Sequence, residues 1–569
     1  MRKYTNYTTS ILACILAAIL ISVTLDQRLE QKSLIFITII AVPVSWAIGL
    51  LIIYAKDKLD MFINKNTEYI DIHLTIKEMI TGAIVSVISI TFMSTSSPLY
   101  PFNLWNDADL FLTMGRSIKN GQVPYRDLYE QKGPLLYFIH SLCALISDRT
   151  FFGVYILESI MCFIFIIFAW KIVKLFIKDV ESTGAVILTL PLCAIIYSSN
   201  MFHLGDSTEE LTFPLLTIVL YFALKALRTD NTLPSWKETL ITGVIGGIIF
   251  WTKFNLCAFI AGFAVFFLIY SIVIHQINNL LKCILAMITG VAAVSLPILI
   301  YFKVNDALED LFTVYFYNNI FLYNSTSGGI LHKLTHSIPT GFGLVFRHNH
   351  GLLAILMLAL ITFIVFNRRT AVFLLTVFTT MMIGAFSGSF VIFYYGFIFM
   401  TFTAILLIPA TCLYNDAIQK LSQKRAHTAL SIGILITIVS LIFYSGSKNL
   451  SLIGKPYDET PQAIFATEIE KTPNARILTY DVMDMGFFIS SGNDPSNRYF
   501  SYLNIVDELP DIRESQDSLI NDGYFDYIIT YNDTFEWDGY EVVMQSEYSI
   551  PYSNGITYDY DFYLYKKIS

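Results

Sequence analysis

Between Trp105 and Leu136 the sequence reads WNDADLFLTMGRSIKNGQVPYRDLYEQKGPLL, and Asp107, Asp109, Arg126 and Lys132 all fall inside it. Carboxylates in such a stretch can take up a proton, and a lysine or arginine can meet an anion. The same spacing has a plainer explanation. Asp107 and Asp109 open a short amphipathic pattern of Leu110, Phe111, Met114 and Ile118 that Gly121 closes, and acidic residues are favoured in a first helical turn by the helix dipole. Lys132 can equally be a lysine snorkelling to the membrane surface. Three further sites carry groups of the same kind. His203-Leu-Gly-Asp-Ser-Thr-Glu-Glu210 puts Glu209 and Glu210 just before an apolar run, where Ser207 or Thr208 with Glu210 also spells a capping box. Trp251-Thr-Lys-Phe-Asn255 puts Lys253 between two apolar runs, a costly place unless its ammonium reaches water or an anion. Arg347-His348-Asn349-His350 ends a long loop. Its arginine suits a phosphate at the membrane edge; its two histidines are weak support for a metal, and no metal is expected.

The elements that must hold these groups are membrane helices. The chain has 569 residues, 55% hydrophobic and 14% charged, against about 25% charged in an average soluble protein, and its mean hydropathy is +0.58. A soluble multidomain enzyme, a disordered chain and a collagen-like chain are excluded. Apolar segments fall roughly at 11–25, 33–55, 78–96, 152–176, 184–199, 212–227, 238–252, 256–275, 283–302, 350–366, 371–387, 391–409 and 428–445, which predicts about 13 spans. The first is read as retained, since no small-residue cleavage site follows it. Lys/Arg clusters at Lys56–Lys77, Lys171–Lys178, Lys225–Lys237, Arg368–Arg369 and Lys420–Arg425 place the N-terminus inside and the C-terminus outside. Pro134–Ile146 is apolar but too short to span, so it reads as an interfacial or re-entrant helix. Two long outer loops remain, 97–150 and 303–350.

The formal net charge of −8 is uneven: residues 446–569 hold 21 Asp/Glu and 8 Lys/Arg, a net of −13, so the preceding part is about +5. Nothing resembles a stripe that binds nucleic acid. The seven cysteines form no CxxC and no Cys/His cluster, so neither a disulfide framework nor a zinc site is supported. From about Leu450 the pattern becomes that of a small α/β domain, with a helix at 461–471 and strands at 476–480, 524–531, 541–545 and 562–566. No internal repeat is found.

The arrangement in Trp105–Leu136 resembles the GT-C glycosyltransferases that use polyprenyl-phosphate sugars, among them the family 39 protein O-mannosyltransferases and the bacterial lipid A aminoarabinose transferases. In those proteins an acidic residue opens a juxtamembrane helix just after a span, a glycine follows at the helix end, and a K-P-P-L-like motif precedes a second interfacial helix. The matching residues are Asp107, Gly121 and Lys132-Gly133-Pro134-Leu135. The family commonly has Asp-Glu at the first position and this chain has Asp107-Ala108-Asp109; Asp107 falls at the span-to-helix junction. Gly133 replaces a proline. The resemblance is specific over Trp105–Leu136 and loose over most of Lys77–Ser569. It implies an α-helical polytopic membrane protein of GT-C fold, divided into two additional N-terminal helices (1–76), a catalytic transmembrane core (77–445) and an extracytoplasmic α/β domain (446–569). The implied reaction moves a sugar from a polyprenyl-phosphate donor to a glycopolymer, lipid or protein acceptor at the outer face of the cell membrane, with inversion and without a cofactor. Asp107 would be the general base, with Glu209 or Glu210 supporting it or orienting the acceptor. Lys132 would stabilise the leaving phosphate, with Arg126 and Arg347 as helpers and Asp109 and Lys253 as further binding residues.

A transporter or lipid-linked-saccharide flippase accounts for the spans equally well. It predicts ionisable residues near the bilayer midplane and an internal repeat. Glu158 is the clearest midplane charge, and the other charges cluster in outer loops.

Overall fold

The computed structural model describes residues 72–177, 182–229, 232–323, 332–347, 349–362, 368–388, 391–420, 447–551 and 557–568, with a few positions between 431 and 438. The spans expected at 11–25 and 33–55, nearly all of 428–445 and most of the N-terminal unit 1–76 lie outside the described residues.

Each of the ten apolar segments that fall within the described residues is helical. In chain order the helices are α1 (Ile76–Met93), α2 (Asn106–Lys119), α3 (Pro134–Ile146), α4 (Phe152–Phe176), α5 (Ser182–Tyr197), α6 (Thr208–Arg228), α7 (Trp236–Thr252), α8 (Ala258–Val273), α9 (Ile277–Val304), α10 (Ile338–Phe346), α11 (His350–Thr362), α12 (Arg368–Phe386) and α13 (Thr403–Lys420). Among the described residues seven segments are long and apolar enough to cross a membrane: α1, α4, α6, Phe254–Val273, α9, α12 and Phe393–Asn415. α3 has 13 residues and is too short to do so, as its sequence predicts. Local signals set the ends. Capping boxes start α1 at Thr75/Glu78 and α7 at Ser235/Glu238, and Gly121, with φ +100, follows the end of α2, as expected of a residue that must turn left-handed there.

The first of the two expected outer loops is half helical, and the described residues of the second are mostly helical. The first holds α2 and α3. The second continues from α9 into a π-helix at Phe312–Leu322 and a π turn at Lys333–Ser337 before α10. Its Tyr- and Asn-rich composition reads as loop, but Val314 and Tyr315 are buried, and packing overrides local propensity.

The C-terminal part carries α14 (Pro461–Ile469), a short helix at Phe487–Ser491, α15 (Asp511–Asn521) and the strands β1 (Ile477–Thr479), β2 (Tyr527–Tyr531), β3 (Tyr540–Pro551) and β4 (Thr557–Lys567). The sheet order is β1-β2-β4-β3, parallel between β1 and β2 and antiparallel elsewhere. Side chains alternate across it. Ile477, Tyr527, Ile529, Phe562 and Leu564 join the core that also contains Trp105, Phe111 and Tyr137, while Leu478, Ile528 and Tyr565 pack on the other face. Each fully buried large apolar side chain contributes roughly 1.5–3 kcal/mol, so the sheet and the interfacial helices form one continuous core. Arg116 of α2 adds a polar tie, 3.0 Å from Asp494 and donating to Phe488 O at 2.9 Å.

Candidate active site

Asp107 stands in the first turn of α2. Tyr394, in a 3-10 segment at Phe393–Phe402, donates its hydroxyl to Asp107 Oδ2 at 3.0 Å. Lys132 Nζ lies 3.7 Å from Asp107 Oδ1 and 3.6 Å from Glu130 Oε1. A tight turn delivers the lysine. Tyr125, at φ +70, donates its backbone N–H to Leu128 O at 2.6 Å and its hydroxyl to Lys132 O at 2.5 Å. Glu130 Oε2 accepts the Lys132 N–H at 2.8 Å. Burial works against the Lys132 charge, but Asp107 and Glu130 outweigh it and hold the ammonium well above its ordinary value. Burial raises Glu130, against the pull of Lys132.

Gly133 joins this turn to the second lysine. Its N–H donates to Thr252 O at 2.9 Å, and a Cβ on residue 133 would stand 2.1 Å from Trp251 O. No larger residue fits, and a proline would lose the hydrogen bond. The start of α3 is thereby fixed on the end of α7, and Lys253 follows at once. Lys253 Nζ pairs with Glu209 Oε1 at 2.6 Å and lies over the Tyr395 ring at 3.8 Å. Thr208 donates to the other Glu209 oxygen at 2.8 Å.

These groups surround a cavity of about 700 Å³ whose lining includes Asp107, Lys132, Lys253, Lys333, Tyr394 and Tyr395. Val482, Met483, Met485, Asn504, Tyr531 and Tyr560 contribute from the C-terminal part. Tyr394, Tyr395 and Lys333 were not singled out from sequence; they come from segments 60 or more residues from any flagged motif except the Arg347 stretch, and no local pattern marks them.

The other flagged residues lie elsewhere. Glu210 is turned away from Glu209 into a sealed cluster. Its Oε2 accepts the Asp206 N–H at 2.8 Å, and its own N–H is capped by Ser207 Oγ at 2.9 Å, so Ser207 caps α6 as foreseen, but the reciprocal half of the capping box is replaced by the bond to Asp206. Asp206 N also donates to Glu158 Oε1 at 2.9 Å, and Ser94 Oγ donates to Glu158 Oε2 at 2.7 Å. His140 Nδ1 donates to Leu136 O at 2.8 Å, and its Nε2 meets Asp206 Oδ2 at 2.9 Å. Glu158, Asp206, Glu210 and His140 have no exposed surface. Burial lowers His140, but Asp206 outweighs it and the imidazole is raised. Glu158 therefore sits about 9 Å along α4 from its first residue, tied to the His203–Glu210 corner, rather than at a midplane site.

Asp109 is fully buried, with neither carboxylate oxygen hydrogen-bonded. Burial and then the neighbouring Asp484 and Asp206 charges push it well above the usual carboxylate range. Asp484 accepts from Thr113 Oγ1 at 2.5 Å, and burial pushes it up to about 6. Arg126 is engaged by its neighbour Asp127 at 2.7 Å and by Asn305 O at 2.7 Å. Glu210, Asp109, Arg126 and Arg347 are absent from the cavity lining, and so is Glu209, which is fully buried and reaches it only through Lys253. Among the described residues no group of three or more His, Cys, Asp or Glu side chains could hold a metal ion.

Residues 131–301 match the family model described as dolichyl-phosphate-mannose-protein mannosyltransferase. The matched stretch includes Lys132, Glu209 and Lys253 and begins after Asp107. The fold is similar to that of ArnT from Cupriavidus metallidurans in the apo state, with a TM-score of 0.52, 12% identity, and coverage of 85% of this chain and 97% of that one. ArnT bound to undecaprenyl phosphate gives 0.51, 12%, 86% and 97%. AglB from Archaeoglobus fulgidus, in complex with an inhibitory peptide and a dolichol-phosphate, gives 0.44, 12%, 80% and 69%. No curated protein matches the sequence.

Proposed function

We propose that this chain is a membrane glycosyltransferase of GT-C type, a reading that the family match over residues 131–301 and the similar fold support, and that it transfers a sugar from a polyprenyl-phosphate donor to an acceptor hydroxyl at the outer face of the cell membrane. The observation that carries this reading is the placement of Asp107 and Lys132, 3.7 Å apart, in the wall of one cavity of about 700 Å³. The donor phosphate sits at Lys132 and Lys253, and the polyprenyl tail stays in the bilayer. The acceptor oxygen attacks C1 of the sugar as its proton passes to Asp107. The C1–O bond to phosphate breaks, its electron pair leaves with the phosphate oxygen, and the anomeric centre inverts.

Charge moves in step. Asp107 loses its charge on taking the proton, so the Lys132 ammonium is freed from it as negative charge grows on the phosphate. Tyr394 holds the Asp107 carboxylate in place through one oxygen. Glu209 holds Lys253 and acts as a positioning residue. Glu210, Asp109, Arg126 and Arg347 make no contact with donor or acceptor in this reading. The whole chain is read as a core (77–445) of a protein with about 13 spans, preceded by two helices (1–76) and followed by an outward-facing domain (446–569), with the N-terminus cytoplasmic.

The test uses purified protein in lipid nanodiscs with radiolabelled undecaprenyl-phosphate hexoses. Wild type releases undecaprenyl phosphate from one of them. Asp107→Asn lowers that rate by about 10²–10⁴-fold, the usual worth of a general base, with its thermal transition unchanged. Consumption of no donor by wild type, or full turnover by Asp107→Asn, overturns the reading.

A further inference from the structure

The cavity has two chemically different walls. Towards the membrane helices it carries Lys132, Lys253 and Lys333 around Asp107. Towards the C-terminal sheet it carries Val482, Met483, Met485, Asn504, Tyr531 and Tyr560. None of these six is charged, although they belong to a segment with 21 acidic and 8 basic residues. Tyr531 ends β2, opposite Phe562 of β4, and Tyr560 lies two residues earlier on β4. The two tyrosine rings stand 5.7 Å apart, tilted by 50°. Both are half-buried, while Asn504 is exposed.

We infer that this second wall is the acceptor subsite and that it takes an uncharged saccharide. The inference rests on the transfer reading above and names its acceptor class. Aromatic rings present a flat apolar face with negative potential, which suits the C–H face of a sugar ring. A side-chain amide and phenol hydroxyls can both donate to and accept from sugar hydroxyls. The charges speak against an anionic acceptor. The segment carries a net −13, which repels phosphate or carboxylate groups approaching along it. Lys132 and Lys253 are already engaged by Asp107, Glu130 and Glu209, and the donor phosphate claims them in the reaction. The topology speaks against an extended peptide. Tyr531 and Tyr560 come from the inner strands β2 and β4, whereas strand addition needs a free sheet edge. A sugar bound on the two rings presents its hydroxyl across the cavity towards Asp107.

Saturation-transfer NMR on the full-length protein in nanodiscs tests this, with neutral di- and trisaccharides as probes and their uronic acid and phosphorylated counterparts alongside. Neutral saccharides are expected to show transfer and the anionic ones none. Tyr531→Ala and Tyr560→Ala are expected to weaken binding at least tenfold, and Tyr531→Phe, which keeps the ring, to retain it. Undecaprenyl phosphate binding, measured by thermal shift, checks that each variant is folded. Neutral saccharides that fail to bind wild type, anionic ones that bind as well, or binding indifferent to both alanine variants would overturn the subsite. Saccharide binding that persists in a protein consuming no donor sinks the transfer reading instead, so the two failures are distinct.

Discussion

Two clusters of carboxylates lie side by side, and they share the His203–Glu210 corner. In one, Asp107, Glu130 and Glu209 face Lys132 and Lys253, and the Asp107, Lys132 and Lys253 side chains keep 11%, 19% and 12% of their surface exposed. In the other, Glu158 and Glu210 hold the backbone of Asp206, Asp206 faces His140, and none is exposed. Both are rich in ionisable groups, so charge alone does not tell a reactive site from a scaffold. Access does. The first cluster can exchange a proton with a molecule in the cavity, and its cations can meet an anion. The second meets only protein. It holds a corner in which His203 and Asp206 both take left-handed backbone, at φ +60 and +65, a conformation that persists where surrounding bonds over-determine it. Adjacent residues thus have opposite roles: Glu209 serves the cavity through Lys253, and Glu210 serves the fold.

The contrast can be broken in three ways. Asp206→Asn keeps the left-handed backbone but removes the partner of His140, and breaking a buried pair costs on the order of 3 kcal/mol. We expect a clear fall in thermal stability, read by a detergent-based unfolding assay; unchanged stability would mean that the sealed cluster is no scaffold. Asp484, to which Thr113 of α2 donates, offers a pH test. Asp484 is raised from 3.8 to about 6. Its contribution is therefore fully present below pH 4 and is lost as the pH rises through about 6, a difference of up to about 3 kcal/mol. Asp484→Asn should flatten that part of the stability profile, and an identical slope in the variant would exclude Asp484 as its source. The smallest of the three effects is kinetic. Glu209→Gln should lower turnover about tenfold, near 1.4 kcal/mol, whereas Glu210→Gln should leave turnover within about threefold. The reverse ranking would exchange the roles of the two glutamates.

Much of this was legible because membrane sequences penalise stray charge. Lys253 stands out between two apolar runs, and Asp107 and Lys132 stand out at the ends of theirs. The short length of Pro134–Ile146 and the position of Gly121 foretold α3 and the end of α2. The choice within close pairs was not legible from composition. Asp109 is two positions after Asp107, about 200° around a helix, so it faces the C-terminal segment when Asp107 faces the cavity. Glu209 and Glu210 differ by about 100°, and which one pairs with a cavity residue depends on Lys253, far along the chain. Arg126 looked available for phosphate, yet its nearest carboxylate is the adjacent Asp127. Tyr394, Tyr531 and Tyr560 reach the cavity only through tertiary packing, which no local pattern encodes.

The Gly133–Thr252 hydrogen bond joins the Lys132 turn to α7, whose sequence predicts a span at 238–252 but which is too short to count among the seven segments long enough to cross a membrane. Lys132 and Lys253 each lie one residue from that bond, and α7, which ends at Thr252, has 17 residues. That is about 25 Å of helix against a hydrocarbon core of about 30 Å. A thicker membrane strains or tilts such a helix at a cost of a fraction of a kcal/mol per Å, and the displacement passes through one backbone bond to both lysines. Turnover should therefore fall two- to threefold, about 0.4–0.7 kcal/mol, as acyl chains lengthen from roughly 14 to 22 carbons at constant headgroup. A flat profile would show that the lysine pair is insulated from the lipid. If it is not, the lipid composition of the host membrane acts as a setting on the enzyme's rate.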